Sequence, residues 1–169
     1  MTTTMTALAS ANIRHAEFIK MTVGKSPTIT TYTFCNAASP ITIGGTTYTN
    51  LGSLLMLGEV QQEIKATSTD LTVSLTGIDP ANIALLLSSD IKGSLVEVWR
   101  GFLDSNNQII TTPTTQFFKR YTGIINSVSI NETFDNEKRV RVATCSVACC
   151  SMRKVLESRL AGMKTNQNS

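Results

Sequence analysis

One histidine, four cysteines and twelve carboxylates are the side chains of this 169-residue chain best suited to chemistry. Cys145, Cys149 and Cys150 form C-x3-C-C inside an apolar, strand-like run, while Cys35 stands alone. A tetrahedral metal site draws thiolates and imidazoles from separate loops, commonly as C-x2-C pairs. That pairing is missing and His15 is distant, so the thiols read as reduced, buried packing residues. His15 has no nucleophile or acid motif beside it and reads as a surface or capping residue. Glu59, Glu63 or Asp70 could serve a carboxylate-dependent glycosidase, because two acids can converge from distant positions. The alternation of Glu59, Gln61, Glu63 and Lys65 with Val60, Gln62 and Ile64 predicts an exposed strand instead. Asp104, Asn106 and Asn107 resemble part of a calcium loop, but its glycine and distal glutamate are not at the required spacing, which leaves a hairpin turn. There is no GxSxG, HExxH, P-loop or dinucleotide fingerprint. The expectation is a protein that is not an enzyme, with no catalytic, cofactor-binding or metal residue.

Composition bounds the partners. The net charge is +3, small for a nucleic-acid binder. Lys119, Arg120, Arg139 and Arg141 could join Phe117, Phe118 and Tyr121 in a basic patch, but solvated strand faces explain them as well, so no specific nucleic acid is expected. A sugar-binding surface would need exposed rings, and Tyr32, Tyr48, Trp99 and Tyr121 each sit where a strand would pack them. No apolar run approaches the roughly 20 residues of a membrane span. The start MTTTMTALAS lacks the charged and apolar regions of a secretion signal, which predicts synthesis in a cytoplasm and discounts the sequon at Asn131.

The elements that must position these groups are mostly strands. Hydrophobic residues make up 41% of the chain and charged ones 16%, a globular balance, and abundant threonine favours strands. Leu71, Val73 and Leu75 alternate at the period of a half-buried strand. Asp79 and Pro80 then signal a helix start, and Ile83, Leu86 and Leu87 give it one apolar face, predicting a short plug helix at about 80–88. Lys92-Gly93 turns the chain into a strand over Leu95–Trp99. Further strands are expected over Phe18–Val23, Thr28–Phe34, Ile41–Ile43 and 46–49, the last two joined as a hairpin by Gly44-Gly45. Leu51–Gly58 reads as an apolar connector and Pro113 as a break in sheet pairing. Strands at 117–121, 123–130 and 139–148 complete the set, the last two antiparallel across a polar loop at 131–138. Ser151 caps a C-terminal helix at about 151–162, whose stripe is Met152, Val155, Leu156, Leu160 and Met163. The fold class is therefore mainly β, an antiparallel barrel or sandwich. A flexible segment at 1–10 precedes a single domain at 11–163, and 164–169 is a frayed tail or shortened linker.

Four groups of residues in this order carry a resemblance: Gly44-Gly45 with Tyr48, Leu51 and Gly52; Leu71, Val73 and Leu75 with Gly77-Ile78; Gly93 with Val96 through Asp104; and Tyr121 with Gly123, Ile124 and Ile125. From Asn12 to Met163 the chain resembles the baseplate hub and distal tail proteins of tailed bacteriophages, similar also to the tail-tip hub of gene transfer agents. The resemblance implies a β-barrel or sandwich structural protein in a ring at the end of the tail tube. Its partners would be itself, as a trimer or hexamer, and other tail and baseplate proteins. It would assemble in the host bacterial cytoplasm and reside in the virion tail. Some relatives continue into a second, cysteine-bearing domain resembling an iron–sulfur site. This chain stops at Ser169, and no cluster is carried onto Cys145, Cys149 and Cys150. The alternative is a carbohydrate- or receptor-binding β module of the virion.

Overall fold

A computed structural model describes residues 12–25, 28–51, 55–57, 70–76, 91–135, 140–152 and 154. Among these residues nine strands are formed: β1 (Arg14–Lys25), β2 (Thr28–Cys35), β3 (Ile41–Ile43), β4 (Thr46–Asn50), β5 (Leu55–Leu57), β6 (Asp70–Thr76), β7 (Leu95–Leu103), β8 (Phe117–Asp135) and β9 (Val140–Ser151). They lie side by side in the order β3-β4-β2-β1-β7-β8-β9-β6-β5. The fold is mainly β, as the alternation predicts. Among the described residues, however, the sheet is not closed into a barrel, and it is mixed, because β2 and β4 run parallel. The expected plug helix at about 80–88 and its Asp79 cap lie outside the described residues, as does the strand expected near Glu59–Ala66. The C-terminal helix expected at about 151–162 also lies outside the described residues apart from Ser151, Met152 and Lys154. Met152 and Lys154 are helical, and the Lys154 N–H donates to Ser151 Oγ at 3.4 Å, the bond expected of a capping serine.

Alternation along the strands separates two cores. On one face, Ile19, Met21 and Val23 of β1 meet Val96 and Val98 of β7, Tyr121 and Ile125 of β8, Cys145, Val147 and Cys149 of β9, and Leu71, Val73 and Leu75 of β6. On the other face, Ala16 and Phe18 pack with Cys35, Ala37, Ile41 and Tyr48, with Trp99, Ile109 and Phe117 against them. Successive side chains in a strand point to opposite faces, so β1 serves both cores by shifting its apolar residues from even to odd positions between Phe18 and Ile19.

Two bulges keep β8 in step with its neighbours. Val98 pairs with Tyr121 but Trp99 with Lys119, which leaves Arg120 as an extra residue. Ile125 pairs with Cys149 and Ser127 with Ala148, which leaves Asn126 as another. Each bulge reverses the face to which the next residues of the strand belong. Phe117 therefore joins the small core and Tyr121 the large one, and after Asn126 the partly buried Val128 and Ile130 return to the large core.

Three expectations change. The strands at 117–121 and 123–130 are one strand, and β8 continues to Asp135 through residues expected to be loop. Within the connector at 51–58, Leu55–Leu57 forms β5. The ambiguous segment before Phe18 is strand from Arg14, because β7 pairs with it from Arg14↔Leu103 onward.

Candidate interaction surface

Glu17, Glu97, Asp70 and Asp104 each have a structural partner. Glu17 Oε1 lies 2.5 Å from Arg100 Nη2 across β1 and β7, and the Glu17 backbone N–H donates to Asn36 Oδ1. Glu97 pairs with Lys119. Asp70 Oδ2 meets Lys154 Nζ at 2.5 Å, and this bond raises the Lys154 pKa. Asp104 Oδ1 accepts from the backbone N–H groups of Asn106 and Gln108, at 2.8 and 2.9 Å, and so fixes the turn after β7. Asn107 sits in that turn at φ 59°, a conformation asparagine tolerates. Glu59 and Glu63 lie outside the described residues.

His15 is exposed on β1 opposite Phe102. Cys145 and Cys149 line the large core and Cys35 the small one, whereas Cys150 lies on the opposite face of β9 from Cys149. Burial raises the pKa of Cys35 and Cys145, and with the neighbouring Cys150 pushes Cys149 up to about 12. Thiols so held are poor nucleophiles and poor metal ligands. Among the described residues no three His, Cys, Asp or Glu side chains converge as metal ligands.

The aromatic residues form contacts of their own. Trp99 stacks on Phe117 at 5.0 Å, Phe18 meets both Tyr48 and Phe117 edge-on at 5.2 Å, and Lys119 Nζ sits 4.7 Å above the Trp99 ring. Tyr48 and Tyr121 are buried, and Tyr32 packs partly against the large core. Burial raises the pKa of both buried phenols. These rings do not present a row on which a sugar could stack. Of the residues considered for a basic patch, Lys119 is held by Glu97 and Trp99 and Arg120 is the bulged residue of β8, while Arg139 lies outside the described residues.

The open surface lies elsewhere. β7 pairs with β8 only as far as Leu95↔Ile124, and the backbone of Ile125 is completed by Gly93 and Ser94. Beyond it, Asn126–Asp135 has no strand on that side among the described residues. The opposite strand, β9, loses its outer neighbour at Thr76↔Thr144. From Glu132↔Ala143 to Asp135↔Val140 the two strands hence form a ribbon with no further strand at either edge among the described residues. Asn131, Glu132 and Thr133 are exposed, and Phe134 is 55% exposed. Ten residues of strand from Asn126 span roughly 33 Å. Sequence reasoning missed this arm because Asn131–Lys138 is polar at nearly every position; the single available signal was the threonine and phenylalanine at 133 and 134.

No protein-family model matches the chain, and no curated protein matches it. No helix among the described residues is long and apolar enough to cross a membrane.

Proposed function

We propose that this protein is a structural subunit of a bacteriophage tail, part of the baseplate hub or distal tail ring at the end of the tail tube. It works through contacts with copies of itself and with other tail proteins. The observation that carries the reading is the β8–β9 arm. A two-stranded ribbon is marginal in water by itself, and this one holds an exposed phenylalanine and, among the described residues, strand edges with no further strand beside them. Such an element gains stability when a neighbouring subunit covers it. The ion pairs of Glu17, Glu97 and Asp70 and the burial of three thiols add support, since they favour a scaffold over a reaction centre. On this reading, the helices expected at about 80–88 and 151–162 complete the barrel or sandwich. A ring uses two different patches of each subunit, one for each neighbour, and the arm supplies one of them.

Sedimentation of the purified chain together with immunolabelling of intact tails tests the proposal. Trimers or hexamers in solution and label at the tail tip are expected. A stable monomer at high concentration, together with absence from particles, overturns it.

A further inference from the structure

The geometry points to a second association surface, the outer edge of β2, built to pair antiparallel with the same edge of another copy of this chain. The inference is independent of the tail assignment and rests on backbone geometry. β4 runs beside β2 only at Phe34↔Thr49 and Cys35↔Asn50. Further along β4 diverges, and the Thr47 carbonyl is met by the Thr33 hydroxyl at 2.7 Å in place of a strand bond. From Thr28 to Tyr32 the outer side of β2 has no partner among the described residues, and Thr28, Ile29, Thr30 and Thr31 are all exposed, Ile29 to 58%.

The direction of the free groups follows from the bonds that are made. The Leu51 N–H donates to the Cys35 carbonyl, so the backbone of Cys35 faces away from β1. In an antiparallel pair this orientation recurs at every second residue. The N–H and C=O of Ile29 and Thr31 therefore point outward, while those of Thr30 and Tyr32 bond to Val23 and Met21 of β1. Only an extended backbone can satisfy alternating donors and acceptors of this kind.

Self-pairing is favoured by what β2 lacks. It is the longest strand of the sheet without a charged residue, and it contains no proline or bulge. Edge strands of monomeric proteins are usually guarded by one of these. A charged edge would repel its own copy, whereas TITTY does not. A two-fold axis through Thr30 sets Ile29 against Thr31 of the other copy, and Thr31 against Ile29. Each such pair exchanges two backbone hydrogen bonds, four in all. Thr30 meets Thr30 across the axis, and β-branched pairs of this type are favourable across strands. Because the strands run oppositely and the axis lies near the β1–β2 turn, each body extends past the other's hairpin end. The contact is small, so its dissociation constant is expected on the order of 10–100 µM.

Three variants of the full chain test this. Thr30→Cys places thiols across the axis at a non-hydrogen-bonded pair, where mild oxidation is expected to give a disulfide-linked dimer absent from the wild type. Ile29→Lys brings like charges beside the axis and is expected to weaken self-association about tenfold or more. Ile29→Pro removes only an outward N–H, so β1 pairing and the circular dichroism of the sheet are retained while association is lost. If the wild type is already a larger ring, both Ile29 variants are expected to reduce its sedimenting mass. Failure of Thr30→Cys to crosslink at roughly 200 µM, or association unchanged in folded Ile29→Lys and Ile29→Pro, overturns the inference. So does oxidation that links Thr30→Cys to a co-expressed Thr133→Cys chain in preference to itself, since β2 would then receive the arm. None of these results depends on whether the protein is found in a tail.

Discussion

At the scale of single residues, Gly123 is tightly confined. A Cβ there would stand 2.5 Å from the Cys150 carbonyl oxygen and 2.5 Å from Tyr121 Oη. The first obstacle is backbone of β9, where Gly123 and Ser151 form the end pair of the β8–β9 ladder, and it cannot swing aside as a long side chain could. Gly123→Ala is therefore expected to destabilise the fold by about 1–3 kcal/mol, read as a lowered urea midpoint with an unchanged slope. Gly45, in the left-handed region at φ 81° with open space around it, presents a different case. Gly45→Val there costs backbone strain of about 1–2 kcal/mol and loosens only the β3–β4 hairpin. Cys149 gives a third residue-scale prediction, this one in pH. Burial, first, and Cys150, second, raise its pKa from 9.0 to about 12. Between these values the unfolded thiol has lost its proton while the folded one keeps it, so the folded state binds more protons and stability falls as pH rises. The stabilising contribution is complete below about pH 9 and declines toward pH 12. Denaturant midpoints taken at pH 8, 10 and 11 are expected to fall in that order, and Cys149→Ser should flatten the alkaline part of the curve.

At the scale of elements, the strands that sequence reveals are those with one wet face and one dry face. Leu71, Val73 and Leu75 alternate and are buried, with Thr72 exposed between the first two. Gly44-Gly45, at φ 55° and 81°, makes the expected tight turn between Ile43 and Thr46. β8 was hidden for the opposite reason. The Asn126 bulge moves its apolar spacing from two to three between Ile125 and Val128, and the arm has polar residues on both faces. Hydrophobic period carries no information where neither face meets a core. That exposure sets the expected behaviour of Phe134. Phe134→Ser removes no buried contact, so the thermal midpoint of the isolated subunit should stay within about 2 °C. If the arm is covered in the assembly, the same change should reduce assembly several-fold by sedimentation. A loss of thermal stability equal to the loss of assembly would place Phe134 in the fold of the subunit instead.

At the scale of the whole molecule, strand order is the part no local pattern discloses. β1 lies beside β7 in a pairing fixed by contacts such as Glu17 with Arg100, 83 residues apart in sequence. Likewise β6 and β7, successive strands along the chain, are separated in the sheet by β8 and β9. Side-chain types show which residues are buried, but a strand's neighbour is decided by which buried faces fit, and that is a property of the assembled sheet. The consequence is an uneven distribution of stability. β7 is paired with β1 and β8 from Leu95 to Gly101 and borders both cores, so its amides should open only with the whole domain. The ribbon from Glu132 to Asp135 with Val140 to Ala143 is paired on one side only among the described residues. Its amides should exchange through local fraying, orders of magnitude faster than those of Val96 or Val98. Hydrogen exchange on the dilute subunit and on the ring proposed above separates the two states. In the subunit, peptides covering 131–143 are expected to exchange early and those covering 95–101 last. In the ring, the first set should slow markedly while the second changes little, because subunit contact supplies a neighbour only where one was missing. Equal protection of the arm in dilute subunit and ring would mean that the ribbon is already supported within its own chain, and the structural role proposed for it would fail.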